Sequence, residues 1–261
     1  MTDKIITEQS GEIARIIFNQ PEKRNAVSLE MWEAVETAVE RFRDDPSVRI
    51  LILSGAGGKA FVSGADVSKF ETERASKEAV AHYNATTKRV YDLIEAFSKP
   101  TIAQIDGFCV GGGVALSLCC DIRICGRGSQ FAIPAAKLGL GYGYPGLKRL
   151  VDVVGPAFAK EIFFTARRFD AEEARIMGLV NRVVDDEKVA EAAEETALTI
   201  AANAPMTVAS VKFIVGQTLK PESERDLAEC EARVKACFDS QDYIEGRRAF
   251  LEKRKPAFVG G

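Results

Sequence analysis

Residues 107–126 read GFCVGGGVALSLCCDIRICG. The glycine run at 111–113 turns the chain into a short apolar helix within 110–120, and DIRICG (121–126) follows as a strand. Upstream, KPTIAQIDG (99–107) is a strand, and VRILILSG (48–55) is continuously apolar, as a strand buried on both faces should be. EIARIIFNQ (12–20) is another strand, rich in Ile and Phe. Between these strands, residues 24–46 carry a helix. Ser28 is its N-cap, Val35, Val39 and Phe42 share a face, and Pro46 lies beyond its end. A long polar helix is predicted over 76–97. Repeated strand, turn and helix specifies an α/β chain with right-handed crossovers.

Further along, Asp170 and Glu173 form a helix-opening box, and Gly178 closes that helix before a short strand. From about residue 187 the pattern is almost wholly helical, which divides the chain into a core of 1–186 and a helical region of 187–261. Lys and Arg number 35 against 38 Asp and Glu, so no basic excess exists for a nucleic-acid backbone. No apolar run reaches the roughly 20 residues of a membrane span, and the N-terminal stretch lacks the segments of a signal peptide. Cys109, Cys119, Cys120, Cys125, Cys230 and Cys237 form no CxxC pair and read as free thiols of a cytoplasmic protein. The only histidine, His82, falls on the long helix, which argues against a His triad or a multi-His metal site.

Several segments together resemble the crotonase superfamily, also called the enoyl-CoA hydratase/isomerase family. They are PEKRNAVS (21–28), KAFVSGADVSKF (59–70), residues 107–124 of the opening stretch, ARIMGLVNRVV (174–184), NAPMTVASVK (203–212) and DYIEGRRAFLEKRKPAF (242–258). The similarity runs from about residue 5 to the C-terminus. It implies a spiral of ββα turns, a C-terminal trimerisation region, homotrimers that commonly pair into hexamers, and an acyl-CoA thioester substrate. No cofactor beyond coenzyme A, itself part of the substrate, is implied. Matched by motif, the two oxyanion N–H donors fall on Ala65 and Gly112. Coenzyme A contacts fall along Ser63, Gly64, Ala65, Asp66 and Val67, with Arg24 near the phosphates, Pro134 beside the acyl site, and Phe250 and Lys253 reaching the carrier, sometimes from a neighbouring subunit.

The residues of the two glycine segments agree. Gly64 permits close backbone approach to a ligand, and the GGG turn opens a helix whose first N–H groups lack partners. Two such donors aimed at one point stabilise a thioester oxygen as it becomes an enolate. Hydratases of this family also use two glutamates, one to deprotonate water and one to protonate the α-carbon. Here those positions are Ala115 and Ala135, in ungapped flanks GGGVAL and FAIPAAKLG. The surviving donors suit a reaction that makes an enolate without a protein base. Loss of CO2 from a malonyl-type thioester is such a reaction, needing chiefly orientation. Tyr142 is the candidate to hold the departing carboxylate. With it the chain is similar to the methylmalonyl-CoA decarboxylase branch, but that branch has His where Ala65 stands. Tyr144 and Lys137 are further candidates in the same loop, and Asp121 reads as a backbone anchor. The alternatives are a hydratase or isomerase with a non-standard acid and base, and a non-catalytic acyl-CoA-binding protein.

Overall fold

The structure, a computed structural model, describes residues 2–73 and 75–261. In chain order the elements of the first half are β1 (Ile5–Ser10), β2 (Ile13–Phe18), α1 (Leu29–Asp44), β3 (Ile50–Gly55), β4 (Ala60–Val62), α2 (Phe70–Glu73), α3 (Lys77–Glu95), β5 (Thr101–Ile105), β6 (Phe108–Val110) and α4 (Gly112–Leu118). The second half adds β7 (Ile122–Gly126), β8 (Gln130–Ala132), α5 (Tyr144–Thr165), β9 (Phe169–Asp170), α6 (Ala171–Ile176), β10 (Arg182–Val184), α7 (Val189–Ala201), α8 (Pro205–Thr218), α9 (Leu227–Asp239) and α10 (Gln241–Glu252).

Two sheets result, in the orders β1-β2-β3-β5-β7-β10 and β4-β6-β8-β9. Successive turns of the chain add a strand to the larger sheet and then one to the smaller, as β3 with β4, β5 with β6 and β7 with β8. Helices complete the turns, giving the ββα spiral. The continuous apolar run of β3 follows from its place inside the larger sheet. Leu51 and Leu53 face the main core with Val35, Val39 and Phe42 of α1. Ile50 and Ile52 face the opposite way, against Ala193 and Ala197 of α7.

Local signals act as the sequence predicts. The Ser28 hydroxyl accepts from the Met31 N–H and opens α1. Asp170 and Glu173 make both halves of a capping box. The Asp121 carboxylate accepts from the Thr101 N–H at 2.7 Å and pairs with Lys212 at 2.7 Å, joining β5 and β7 to α8. His82 lies on the surface of α3, 55% exposed and near Glu33.

Three features differ from expectation. The long helix is shorter, α3 ending at Glu95. The second sheet is built from strands of two or three residues, too short for an alternating pattern. The helical region also does not begin as an appendage at 187. The small-residue face of α7 (Ala192, Ala193, Ala197, Ala201) lies flat on the larger sheet, so the core continues to Ala201. Among the described residues no single helix is long and apolar enough to cross a membrane.

The helix that the glycine run opens is held at both ends. At its far end the buried Arg123 guanidinium donates to the carbonyls of Cys120 (2.6 Å) and Ser117 (3.3 Å) and to Leu179 (2.7 Å). At its near end Gly113 lies against β4, where a side-chain carbon would come within 2.0 Å of the Val62 carbonyl oxygen. Gly113→Ala is therefore expected to destabilise by about 1–3 kcal/mol or more, the usual cost of overpacking, lowering Tm by roughly 2–10 °C in a chain of this size. Gly216→Ala, in the open on α8, should leave Tm unchanged or raise it, since Ala is the better helix former. Thermal unfolding of the two variants checks the contrast.

Candidate active site

The loop after β4 is laid against residues 24–27. Ser63 N–H donates to the Arg24 carbonyl (3.2 Å), Val27 N–H to the Gly64 carbonyl (2.8 Å) and Asp66 N–H to the Val27 carbonyl (2.9 Å). Gly64 has φ of +107°, a conformation open to glycine and strained for other residues. The Ala65 amide is passed over by this ladder and donates to no acceptor among the described residues.

The Asp66 side chain, 5% exposed, fastens the loop. Lys23 Nζ donates to it at 2.8 Å, the Ser68 hydroxyl at 2.6 Å and the Ser68 N–H at 3.1 Å, with Gln20 Nε2 at 3.5 Å. Burial pushes its pKa up, but the hydrogen bonds from Lys23, Ser68 and Gln20 outweigh that and hold it at about 2. Both its N–H and its carboxylate are thus committed to the loop itself. Ser63 donates its hydroxyl to the Lys23 carbonyl (3.3 Å), while Val67 stands 70% exposed beside it.

Facing this loop is the start of α4. Gly111, with φ of +55°, donates its N–H to the Ala132 carbonyl (2.8 Å) and redirects the chain. Gly112 then opens the helix with an amide that has no acceptor among the described residues. The two segments touch. A side-chain carbon on Gly112 would lie 3.8 Å from Gly64 Cα, and one on Gly64 would lie 4.0 Å from the Gly112 nitrogen. Two unpartnered amides on adjoining backbones are what an oxyanion hole requires.

At the two positions where the family resemblance would place the hydratase glutamates, the side chains are methyl groups. Ala115, one turn into α4, is 7% exposed, and Ala135, in the 3₁₀ turn Pro134–Leu138, is 4% exposed. Two phenols, Tyr91 and Tyr142, lie near each other and near Cys119, whose thiol meets the Ala115 carbonyl. Tyr142 packs edge-on against Phe163 with ring centroids 4.8 Å apart, over Gly146, where any side-chain carbon would meet its ring at 2.7 Å. Its half-buried hydroxyl has no hydrogen-bond partner among the described residues, and burial raises its pKa, so it stays protonated. Tyr91 of α3 donates its hydroxyl to the Gly112 carbonyl at 3.3 Å. Its ring stands edge-on to Trp32 at 5.5 Å, and burial pushes its pKa well above that of an ordinary phenol. The sequence reading passed over Tyr91. Its position two turns after Tyr83 on a polar helix gives no sign of it, because the contacts of Trp32 with both residues arise only in the fold.

The remaining predicted residues are dispersed. Tyr144 begins α5 and is 76% exposed, so it does not share the Tyr142 environment. Lys137 is exposed. The Arg24 guanidinium stacks on the Phe108 ring at 4.8 Å, with Arg168 at 5.3 Å from the same ring. Phe250 is 84% exposed and lines an apolar groove of about 660 Å³ among α8, α9 and α10, whose lining includes no residue of the Ala65–Gly112 site. Lys253 ends α10 in a left-handed conformation. Among the described residues no cluster of His, Cys, Asp and Glu is placed to hold a metal ion.

A family model described as enoyl-CoA hydratase/isomerase matches residues 8–261. The chain is 36% identical over 257 residues to a crotonyl-CoA hydratase of Syntrophomonas wolfei, covering 98% of each protein. It is 34% identical over 265 aligned positions to a carnitinyl-CoA dehydratase of Salmonella typhi, covering 100% of each. Among solved structures, an enoyl-CoA hydratase/carnithine racemase from Magnetospirillum magneticum superimposes with a TM-score of 0.92 at 38% identity, over 100% of this chain and 97% of that one.

The Asp66 clamp predicts an acid-sensitive contribution to stability. A carboxyl whose folded pKa lies below its unfolded value stabilises the fold above the unfolded value, near 3.9, and stops doing so as pH falls through the folded one. Asp66→Asn should cost about 1–2 kcal/mol at neutral pH, a figure reduced for the partly solvated Lys23. The gap between variant and wild type should close as pH falls from about 4 to about 2. Unfolding measured across that range checks it.

Proposed function

The chain belongs to the enoyl-CoA hydratase/isomerase family and is an enzyme of CoA thioesters, and on that premise we propose that it forms a thioester enolate by releasing CO2 from a malonyl-type acyl-CoA. The observation that carries the reading is the pairing of Ala115 and Ala135 with two free amides, at Ala65 and Gly112. Hydration needs one group to deprotonate water and another to protonate carbon, each worth roughly 100- to 10,000-fold. Decarboxylation needs neither to break the C–C bond, because CO2 leaves its electrons behind. The site then has two tasks. It must stabilise the enolate oxygen, to which one lost amide typically costs roughly 100- to 1000-fold. It must also hold the departing carboxylate out of the thioester plane.

Tyr142 is assigned the second task. Its protonated, unpartnered hydroxyl is suited to donate to a carboxylate. The carrier is assigned to the backbone of Ser63–Val67, with Asp66 acting through the loop that it fastens. Arg24 is placed near the phosphates, Pro134 beside the acyl group, and Phe250 and Lys253 at the carrier from a neighbouring subunit of a homotrimer or hexamer. The six free cysteines suit a reducing, cytoplasmic setting. A second reading, hydration with phenols in place of carboxyls, is favoured by what the two relatives are called.

Incubation with malonyl-, methylmalonyl- and crotonyl-CoA, followed by mass spectrometry, separates the readings. The expected result is CO2 loss from a malonyl-type thioester and little hydration. Crotonyl-CoA turnover above about 10 s⁻¹, the ordinary range for enzymes, would establish the second reading. Binding without turnover of any thioester would leave only a carrier-binding protein.

Tyr142→Phe removes one hydrogen bond to a charged group, about 1.5–3 kcal/mol, and should slow decarboxylation roughly 10- to 150-fold. Affinity for butyryl-CoA, which has no carboxylate to hold, should barely change. Equal losses in both measurements would assign Tyr142 to pocket shape alone.

A further inference from the structure

We propose that Tyr91 is the proton donor of this reaction, delivering its phenolic hydrogen to the α-carbon of the enolate held by the Ala65 and Gly112 amides. The inference rests on the decarboxylase reading above and supplies the acid that the reading lacks. Once CO2 has left, the enolate carbon must still be protonated, and neither Ala115 nor Ala135 has a proton to give.

The Tyr91 hydroxyl lies beside Gly112, the residue whose amide opens α4. It lies 3.3 Å from the Gly112 carbonyl and 3.6 Å from the point that a Gly112 side-chain carbon would occupy. Gly64 Cα borders that same point at 3.8 Å. The hydroxyl, Gly64 and Gly112 therefore border one point, beside the two amide-bearing segments. An enolate whose oxygen sits on the amides has its α-carbon two bonds away from that oxygen, beside that point. The hydrogen bond to Gly112 is long for an O–H donor, so the hydroxyl is loosely engaged and free to turn. The ring is fixed by the edge-on contact with Trp32 on one side and by Arg149, 6.0 Å from its centroid, on another. Burial keeps the phenol protonated.

The step balances without a further reactant. The C–C bond to the carboxylate breaks and its electron pair enters the enolate. The enolate collapses to the thioester as its α-carbon takes the Tyr91 proton, and the phenolate recovers a proton from water. Other nearby hydrogens are less suited. Cys119 directs its thiol to the Ala115 carbonyl at 3.2 Å, and Tyr142 is assigned to the carboxylate.

The test is the stereochemistry of protonation. Wild-type protein turning over methylmalonyl-CoA in D2O should yield propionyl-CoA with one deuterium at the α-carbon, as a single enantiomer. Tyr91→Phe, checked for its fold by circular dichroism, should still release CO2, but its deuterated product should be racemic because water then protonates the enolate from either face. Tyr142→Phe should do the reverse, releasing CO2 roughly 10- to 150-fold more slowly with the single enantiomer retained. A single enantiomer from Tyr91→Phe overturns the assignment. So does racemic product from both variants, which would mark a general loosening of the pocket. Racemic product from the wild type overturns it with no variant needed. Absence of CO2 release by the wild type from both malonyl- and methylmalonyl-CoA overturns the decarboxylase reading itself, and is distinguishable from the other outcomes.

Discussion

Between Gly113 and the Val62 carbonyl oxygen there is room for a hydrogen and nothing larger, since a side-chain carbon would sit 2.0 Å from that oxygen. This backbone-to-backbone approach presses α4 onto β4, and the rest of the site inherits its position from it. Gly112, one residue earlier, is brought against Gly64, two residues past the end of β4. Its amide and that of Ala65 donate to no acceptor among the described residues. At the far end of α4, Arg123 holds the terminal carbonyls against the 174–184 segment, so the short helix cannot tilt away. Short apolar helices are weak structures alone; here both ends are fixed by packing and by buried hydrogen bonds.

The chemistry follows from what that frame keeps and what it omits. An oxyanion hole stabilises charge wherever an enolate forms, whatever reaction produces it. Carboxylates decide whether water can be activated, and the two positions for them are apolar. Among the titratable groups nearby, Tyr91, Tyr142 and Cys119 have pKa values that burial raises, and Arg149, against the Tyr91 ring, is paired with Glu95. Such groups donate hydrogen bonds and protons but do not act as bases near neutral pH. The decarboxylation proposed above draws its electrons from the substrate and asks no base of these groups. Overall likeness to hydratases reflects the shared frame, and the reaction depends on side chains that likeness does not weigh.

Much of this was legible in the sequence. The β3 run declared a strand buried on both faces, and Ser28 and the Asp170–Glu173 box marked helix starts that the structure reproduces. Ala65, Gly112, Ala115 and Ala135 could be located only through the resemblance to the crotonase superfamily, whose motifs their flanks match. The strands of the smaller sheet were not legible, because two or three residues carry no period. Nor was the role of α7, since its Ala-rich face gives no contrast between core and surface. Asp66 showed a charge but not its partners, because Lys23 and Gln20 come from a distant loop. Tyr91 was hidden for the same reason. Its position on a polar helix says nothing of Gly112, which lies 21 residues further on and meets it only once α3 and α4 are folded together.

Every step proposed for the site depends on the Ala65 and Gly112 amides binding a thioester oxygen, and this can be observed without knowing the reaction. Butyryl-CoA labelled with carbon-13 at its thioester carbonyl can be bound to the protein and its carbonyl stretch isolated by isotope-edited infrared difference spectroscopy. Two amide donors on that oxygen polarise the bond, so the band of the bound thioester should move to lower wavenumber than that of the free thioester. A saturated complex whose carbonyl band stays at the free frequency would contradict the oxyanion hole, and with it the function derived from it.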